Sequence, residues 1–320
     1  MLISVLALSV ALVFASDYKY ESLIKHTSVE KKLAELKGDE AKEIIYGYEV
    51  FTQTPRFFGP KGIIGKKTKS RMACSQCHMD AGNRVFGNSM LDTHGTYPQY
   101  RGRENAIQTL SDRINTCFLN PLLGEKRIEL DSREMKALEL YIKWIGRGRP
   151  ILEKSGDDRL AKLEFLERAA NPEKGKIIYE NSCQSCHGIN GAGTLNAHNK
   201  IYVYPPLWGN ESFRNGSSMS RLSIMARFVK HNMPYDNEKS TPTLTDEDAW
   251  DVSAYVLTKQ RLPWKGPSPF KELKNKPFDY PIPPYADTFL KEQHQFGPFK
   301  PIIDFYKINV KIDSTRPSGI

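Results

Sequence analysis

Two stretches of the chain share one order of apolar and polar positions. In the clearer stretch, Asn171 is suited to cap a helix over 173–181, because Pro172 follows it at the first helical position. A second helix opens at Thr245 with an acidic first turn, and its apolar side chains can pack against the first helix. In the other stretch, residues 39–50 and 132–145 take the corresponding places. The pattern predicts a mainly α-helical protein with an internal duplication.

Three segments lie outside this pattern. Residues 2–14 form an apolar run that is too short for a comfortable membrane span and ends at a cleavage-like Val-Phe-Ala sequence, so we expect 1–15 to be a signal peptide and the protein not to span a membrane. Residues 147–170 are a charged connector, in which we expect a helix over Asp157–Ala169. The proline-rich tail, 263–320, lacks periodicity and predicts an extended strap over both units or, alternatively, an arm that docks a partner.

The charge balance narrows the range of partners. The formal net charge is +9 at pH 7, which suits nucleic acid, an acidic protein or an anionic substrate. No long Lys/Arg block interleaved with aromatic residues is present, so we expect no nucleic-acid partner. An anionic small substrate or an acidic redox partner remains.

Four of the five cysteines form two C-x-x-C-H boxes, one in each stretch. The boxes contain Cys74, Cys77 and His78, and Cys183, Cys186 and His187. This spacing is typical of covalent c-type haem attachment, with two thioethers to the porphyrin and the adjacent histidine as proximal iron ligand. We therefore expect two covalently bound haem c groups. Because haem c is normally attached outside the bacterial cytoplasmic membrane, we also expect a periplasmic location.

The order of helix, box and helix resembles the class I cytochrome c domain, in which the first and last helices cross over the haem. The resemblance is specific over 171–262 and looser in the first stretch. It predicts two class I-like haem domains and a proline-rich, extended C-terminal segment. The expected bounds are 16–146 for the N-terminal domain, 147–170 for the connector, 171–262 for the C-terminal domain and 263–320 for the extension.

Each haem iron also needs a distal ligand. After the second box, Met233 stands where the Met-Pro segment of class I cytochromes supplies a thioether, a soft ligand that raises the haem potential. Lys230 and His231 are close rivals. A methionine that only fills the core is the remaining alternative.

The first box has several candidate distal ligands, which are Met79, Met90, His94, Met135 and Cys117. Cys117 follows His78 at a spacing comparable to that between His187 and Met233, and it also precedes the closing helix of its unit. By position, Cys117 therefore takes the place of the sixth ligand. A buried inert thiol and an intermolecular disulfide are the alternatives, although a free cysteine is a liability in an oxidising compartment.

Arg101, Arg103 and Arg113 all precede Cys117 closely along the chain. Guanidinium groups match oxyanions, and nearby positive charge favours a thiolate over a thiol. Propionate pairing or ordinary surface charge is the alternative explanation, and it is the one we expect for Arg101. Arg103 and Arg113 are the stronger candidates for an anion pocket.

These residues together resemble the thiosulfate dehydrogenase family of dihaem cytochromes, which interconvert thiosulfate and tetrathionate. The resemblance runs through Cys-Ser-Gln-Cys-His-Met-Asp-Ala-Gly, Tyr-Pro-Gln-Tyr-Arg and Asp-Arg-Ile-Asn-Thr-Cys, and it covers roughly 40–262. It implies that the Cys117 thiolate ligates the first haem and that Arg103 and Arg113 bind the substrate. The second haem uses methionine or lysine in different members. The residues after Cys117 lack a serine that is expected in some members.

The resemblance implies reversible oxidation of two thiosulfates to tetrathionate, with Cys117 transiently bonded to a substrate sulfur. Electrons would pass through the second haem to a soluble or membrane-linked carrier. Three other classes remain open. In a dihaem electron carrier, Cys117 would have no function. A dihaem peroxidase would need a distal acid–base residue, for which only His94 is a candidate. A subunit of a sulfur-oxidising complex would act on a substrate carried by a partner protein.

Overall fold

The computed structural model describes residues 27–149, 159–235 and 243–309, so the expected signal peptide lies outside the described residues. The α-helices are α1 (Thr27–Ala34), α2 (Asp39–Thr52), α3 (Thr54–Phe58), α4 (Leu110–Leu119), α5 (Arg133–Ile145), α6 (Pro172–Ser182), α7 (Gln184–His187), α8 (Leu222–Asn232), α9 (Asp246–Thr258), α10 (Lys291–Phe296) and α11 (Lys300–Asn309). Short 3-10 helices cover Cys74–Gln76, Asp80–Gly82, His94–Thr96, Ser218–Ser220 and Leu273–Asn275. None of the described helices is long and apolar enough to cross a membrane.

Two short antiparallel hairpins accompany the helices. In the first, β1 (Gln99–Arg101) pairs with β2 (Ala106–Gln108), and Gln99 faces Gln108. In the second, β3 (Thr194–Leu195) pairs with β4 (Tyr202–Tyr204). The first hairpin leads directly into α4, the helix that carries Cys117.

The predicted leading and closing helices are confirmed in both units. Helices α2 and α5 pack together in the first unit, and α6 and α9 pack together in the second. The side chain of Asn171 accepts the backbone N–H of Glu173 at 2.9 Å, which caps α6 as expected. Thr245 and Asp248 form a reciprocal capping box at the start of α9.

Glycine permits a close crossing of the two helices in each unit. A Cβ added at Gly47 would collide with the backbone of Ala137, and a Cβ added at Gly175 would collide with the backbone of Asp251. The leading helix therefore touches the backbone of the closing helix at one corresponding point in each unit. This shared geometry supports the predicted duplication.

The apolar side chains of these helices form the cores. In the first unit, Tyr141 is fully buried, and its hydroxyl donates a 2.7 Å hydrogen bond to the carbonyl oxygen of Ala81 just beyond the first box. In the second unit, Tyr179 is buried against Val252. Ile177 on the same helix is 60% exposed, because α6 turns its Tyr179 side toward the core.

The prediction of a helix over Asp157–Ala169 is wrong for its described part, because 159–169 contain no helix. Tertiary contacts use the carbonyl groups that a helix would need. Arg227 donates to the carbonyl oxygens of Leu160 and Ala161, the latter at 2.7 Å. The indole N–H of Trp250 donates to the carbonyl oxygen of Glu164 at 2.9 Å. The connector is thus held in an extended form across the second unit.

The C-terminal extension is largely without regular structure from residue 263 to residue 290 and then forms α10 and α11. Phe299 and Ile302 are buried against Trp250 of the second unit. At its other end, the Nζ of Lys265 donates at 2.8 Å to the carbonyl oxygen of Glu125 in the first unit. The extension therefore lies over both units, as expected, but its last part is helical because its apolar side chains complete a core.

Candidate active site

The two C-x-x-C-H boxes fold into similar turns. The backbone N–H of His78 donates at 3.0 Å to the carbonyl oxygen of Cys74, and that of His187 donates at 3.0 Å to Cys183. Each turn brings its histidine beside the first cysteine of the same box. All five cysteines of the chain lie within the described residues, and none of them forms a disulfide bond.

The two box histidines are oriented in the same way. The Nδ1 of His78 lies 2.7 Å from the carbonyl oxygen of Asn88, and the Nδ1 of His187 lies 2.8 Å from that of Pro205. A carbonyl only accepts, so Nδ1 carries the proton in both rings and Nε2 keeps its lone pair for a metal. Burial lowers the pKa of His78 to about 4 and also lowers the pKa of His187, so both rings are neutral at pH 7.

This donor set fits covalent haem c at both boxes. Cys74 and Cys77 would hold the first haem, Cys183 and Cys186 the second, and the free Nε2 atoms would face iron. The hydrogen bond at each Nδ1 fixes the tautomer and the ring orientation that a proximal ligand requires.

Cys117 lies near the two attachment thiols of the first box. Burial raises the pKa of the Cys77 thiol to about 12, and the nearby Cys117 contributes to this increase. For Cys74 burial is again the main cause, a hydrogen bond with Thr54 opposes it, and Cys117 adds to the increase. The structure therefore places Cys117 near the attachment cysteines of the first box, while its role as an iron ligand stays a prediction.

Arg113 lies one helical turn before Cys117, so the two side chains project from the same face of α4. Burial lowers the pKa of Arg113, but interactions with Cys117, Tyr97 and Glu104 outweigh burial and hold the pKa above its ordinary value. A guanidinium so placed is always charged. It can therefore hold an anion next to the Cys117 sulfur.

Arg103 and Arg101 lie beside Arg113 rather than on the surface. Arg103 is buried, and its Nη1 donates a 2.6 Å hydrogen bond to the carbonyl oxygen of Gly216. Arg101 is 1% exposed, so the expectation of ordinary surface charge is wrong for this residue, while propionate pairing stays a prediction. Burial lowers the pKa of Arg101 to about 10, which still leaves it charged at pH 7.

Glu104 supplies negative charge within this group of arginines. Its charge raises the pKa of Arg101, Arg103 and Arg113, which places it near all three. Both of its carboxylate oxygens are buried, and neither has a hydrogen-bond partner among the described residues. One carboxylate offsets only part of the charge of three guanidinium groups. The pocket therefore keeps an excess of positive charge, which suits a dianion.

The structure also brings in Arg159, which sequence reasoning missed. Its Nε donates at 2.7 Å to the side-chain oxygen of Asn88, the residue whose carbonyl accepts the Nδ1 proton of His78. Burial, followed by the positive charges of Arg113 and Arg101, lowers its pKa to about 9. Arg159 belongs to the connector, far from the first box along the chain. No sequence motif identifies it as a site residue, because only the fold brings it to the first box.

Met233, the expected distal ligand of the second haem, follows α8 directly and is partly buried against a cluster that contains Leu160. Its rival Lys230 is engaged elsewhere, since its Nζ lies 2.8 Å from Asp246 and donates at 2.7 Å to the carbonyl oxygen of Leu244. The ring of the other rival, His231, lies 5.8 Å from that of Phe86. Met219 and Cys183 both pack against one apolar cluster, and Met219 and Met233 both pack against a second.

The comparisons with known proteins agree with these sites. Residues 172–260 match the family model "Cytochrome c", and residues 65–151 match "SoxA/TsdA, cytochrome c domain". The matched regions contain one C-x-x-C-H box each, so the protein is a c-type cytochrome with two covalently bound haems.

Similar proteins with an assigned activity show which family of c-type cytochromes this chain belongs to. The chain is 34% identical over 201 residues to the thiosulfate dehydrogenase of Allochromatium vinosum, and the aligned region covers 62% of this chain and 72% of that protein. It is 32% identical over 232 residues to the thiosulfate dehydrogenase of Thiomonas intermedia, spanning 71% and 70%. The solved structure of thiosulfate dehydrogenase (TsdBA) from Marichromatium purpuratum is similar with a TM-score of 0.63 and 28% identity, covering 69% of this chain and 47% of that one. The chain belongs to the thiosulfate dehydrogenase family.

Proposed function

We propose that the protein oxidises two molecules of thiosulfate to tetrathionate, and can run the reaction in reverse, at the first haem site. The relatives named above support the substrate. The observation that carries the proposal is the placement of Arg113 and Cys117, one turn apart on α4, with Cys117 near the attachment thiols of the first box. A nucleophile and an anion-binding group then share one face of one helix.

We propose that His78 and Cys117 would bind the iron of the first haem, and that His187 and Met233 would bind the iron of the second. When bound, the two haem c groups accept the two electrons of the oxidation and provide a route to an external electron carrier. The proposed domains are 16–146 and 171–262, joined by the connector and covered by the extension. Haem c chemistry supports a periplasmic location.

Cys117 is the proposed nucleophile. Its thiolate, released from the haem iron, would form a sulfur–sulfur bond to the outer sulfur of one thiosulfate, and the two electrons given up in this step would pass to the haems. The outer sulfur of a second thiosulfate then attacks the substrate sulfur bonded to Cys117. The bond to Cys117 breaks, tetrathionate leaves with the new sulfur–sulfur bond, and the Cys117 thiolate is regenerated. Atoms and charges balance over the two steps, and the protein is unchanged.

Arg103 and Arg113 are the proposed anion-binding groups. Each thiosulfate carries two negative charges, so bringing two together is electrostatically unfavourable unless positive charge is already in place. Their guanidinium groups can hold the sulfonate oxygens through paired N–H donors. Because the pocket is shielded from water, these contacts are stronger than they would be at the surface.

The test is the Cys117→Ala variant, produced with both haems attached. We expect thiosulfate-dependent reduction of an artificial electron acceptor to fall by at least about a thousandfold, in the range found when nucleophiles are removed from enzymes. A Cys117→Ser variant and a count of two haems per chain serve as controls for folding. Substantial tetrathionate formation by Cys117→Ala would contradict the proposal.

A further inference from the structure

The C-terminal extension surrounds Arg103 with aromatic rings. The ring centroids of Trp264, Phe270 and Tyr280 lie 5.1, 5.3 and 5.8 Å from the Cζ of Arg103. Phe270 and Tyr280 are 1% and 0% exposed, and their rings pack edge to face at 4.9 Å. We call these three residues the aromatic enclosure. All three distances fall within the range of cation–π attraction.

Hydrogen bonds hold Arg103 and the enclosure in one arrangement. The carbonyl oxygen of Gly216 accepts the Nη1 of Arg103 at 2.6 Å and the hydroxyl of Tyr280 at 3.2 Å. The backbone N–H of Phe270 donates at 2.8 Å to the carbonyl oxygen of Arg103. The backbone and the side chain of Arg103 are therefore both fixed by residues from other parts of the chain.

The same part of the extension holds the end of the helix that carries Cys117. The backbone N–H of Lys265, next to Trp264, donates at 3.0 Å to the side-chain oxygen of Asn120, three residues after Cys117. Asn275 packs so closely on Gly102 that a Cβ at this glycine would collide with its side chain. The extension thus touches the chain on both sides of the proposed anion pocket.

We propose that the C-terminal extension is part of the substrate site, because Trp264, Phe270 and Tyr280 position the guanidinium of Arg103 to bind the sulfonate group of the substrate. This inference rests on the proposed function. The enclosure lies outside residues 65–151 and 172–260, the spans that match the family models. The extension is then a positioning element for catalysis in addition to its role in packing.

The physical reason is preorganisation. Aromatic rings attract the guanidinium while leaving its N–H donors at the edge of the plane, where they can meet an oxyanion. A guanidinium that is fixed before binding loses less rotational freedom when the anion arrives. Removal of one ring should therefore weaken substrate binding more than it affects the later bond-forming steps.

The experiment compares substitutions at Trp264. This residue is only partly buried, so its replacement should disturb the core less than a replacement of Phe270 or Tyr280. In Trp264→Leu we expect the KM for thiosulfate to rise about tenfold, with kcat within about twofold of the unchanged protein. Trp264→Phe keeps a ring, but phenylalanine attracts cations more weakly than tryptophan, so an intermediate KM is expected. The matched control is Tyr306→Phe, which removes a hydroxyl from the same extension at its bond to Asp287.

The absorption spectra of both haems should stay unchanged in every variant, which separates a positioning effect from damage to the haem sites. An unchanged KM in Trp264→Leu, together with a raised KM in Arg103→Lys, would overturn the enclosure inference and leave the proposed function intact. An unchanged KM in both variants would remove Arg103 from the site altogether. If Trp264→Leu does not fold, the result for Trp264→Phe decides, and a KM equal to that of the unchanged protein overturns the inference.

Discussion

The side-chain amide of Asn232 donates a 2.9 Å hydrogen bond to the carbonyl oxygen of Phe86. Asn232 directly precedes Met233, the proposed ligand of the second haem, and Phe86 lies in the loop that follows the first box. A second 2.9 Å bond joins the same amide to the carbonyl oxygen of Phe228 in α8. One buried side chain therefore connects the ligand segment of the second site to the loop of the first.

Replacing Asn232 with leucine should destabilise this connection. Two carbonyl groups would lose the hydrogen bond from this amide, and a lost hydrogen bond typically costs about 0.5–1.5 kcal/mol. We expect a lower free energy of unfolding and a lower potential of the second haem, because Met233 would be held less firmly. Denaturant titration and potentiometry measure the two effects. Asn181→Leu, at an exposed position of α6, is the control and should change neither.

Met233→Leu tests the assignment of the second distal ligand. Loss of a thioether ligand should lower the potential of the second haem by on the order of 100 mV, because methionine stabilises ferrous iron. Met219→Leu and Lys230→Ala are the matched controls, since Met219 shares the apolar cluster and Lys230 is bonded to Asp246. A large change in Lys230→Ala with none in Met233→Leu would assign the lysine as ligand instead.

Gly175→Ala tests the helix crossing of the second unit. The added Cβ would collide with the backbone of Asp251, so α6 and α9 would have to separate. Overpacking of this kind typically costs about 1–3 kcal/mol, and we expect a loss of that size in the free energy of unfolding. Ile177→Ala on the same helix changes an exposed side chain and should stay within about 0.5 kcal/mol. Equal stabilities of the two variants would contradict the close crossing.

The parts of the fold that the sequence predicted depend on short-range signals. Asn171 before Pro172, and Thr245 three residues before Asp248, satisfy backbone N–H groups within one turn, so their effect is visible in a few consecutive letters. Each haem box is equally local, because its two cysteines and histidine lie on one turn. The sequence showed only that Arg113 lies close to Cys117 along the chain, and the structure adds that the two residues share one face of α4.

The parts that could not be predicted depend on residues distant along the chain. The connector is extended because Arg227 and Trp250 bind its carbonyl groups, and neither partner is near it in sequence. Arg159 reaches the first box only through its bond to Asn88. Likewise, the rings around Arg103 follow it by more than a hundred residues, so no spacing rule relates them to it.

Lys276 should make stability depend on pH in the alkaline range. It is buried, its Nζ donates at 3.1 Å to the carbonyl oxygen of Ile282, and burial lowers its pKa to about 8 from the ordinary 10.5. Between these values the unfolded chain binds more protons than the folded one, so the free energy of unfolding rises with pH. Lys276→Met should remove this contribution. Denaturant titrations at pH 8 and pH 10 measure the difference, and parallel behaviour of both proteins would contradict it.

Glu104→Gln should strengthen substrate binding. The carboxylate of Glu104 raises the pKa of Arg101, Arg103 and Arg113 alike, and a negative charge at this position repels an incoming dianion. Glutamine has nearly the same shape, and neither carboxylate oxygen has a hydrogen-bond partner among the described residues, so no contact is lost. We expect the KM for thiosulfate to fall by about threefold to tenfold at low ionic strength, and by less in added salt.

Initial rates over a range of thiosulfate concentrations at two ionic strengths measure this effect. The control, Glu180→Gln, removes the same charge from the surface of α6, where Glu180 lies beside Lys176, and should leave the KM unchanged. A fall in both variants would mean that only the net charge of the protein matters. A KM that stays the same or rises in Glu104→Gln alone would show that this carboxylate does not face the bound anion.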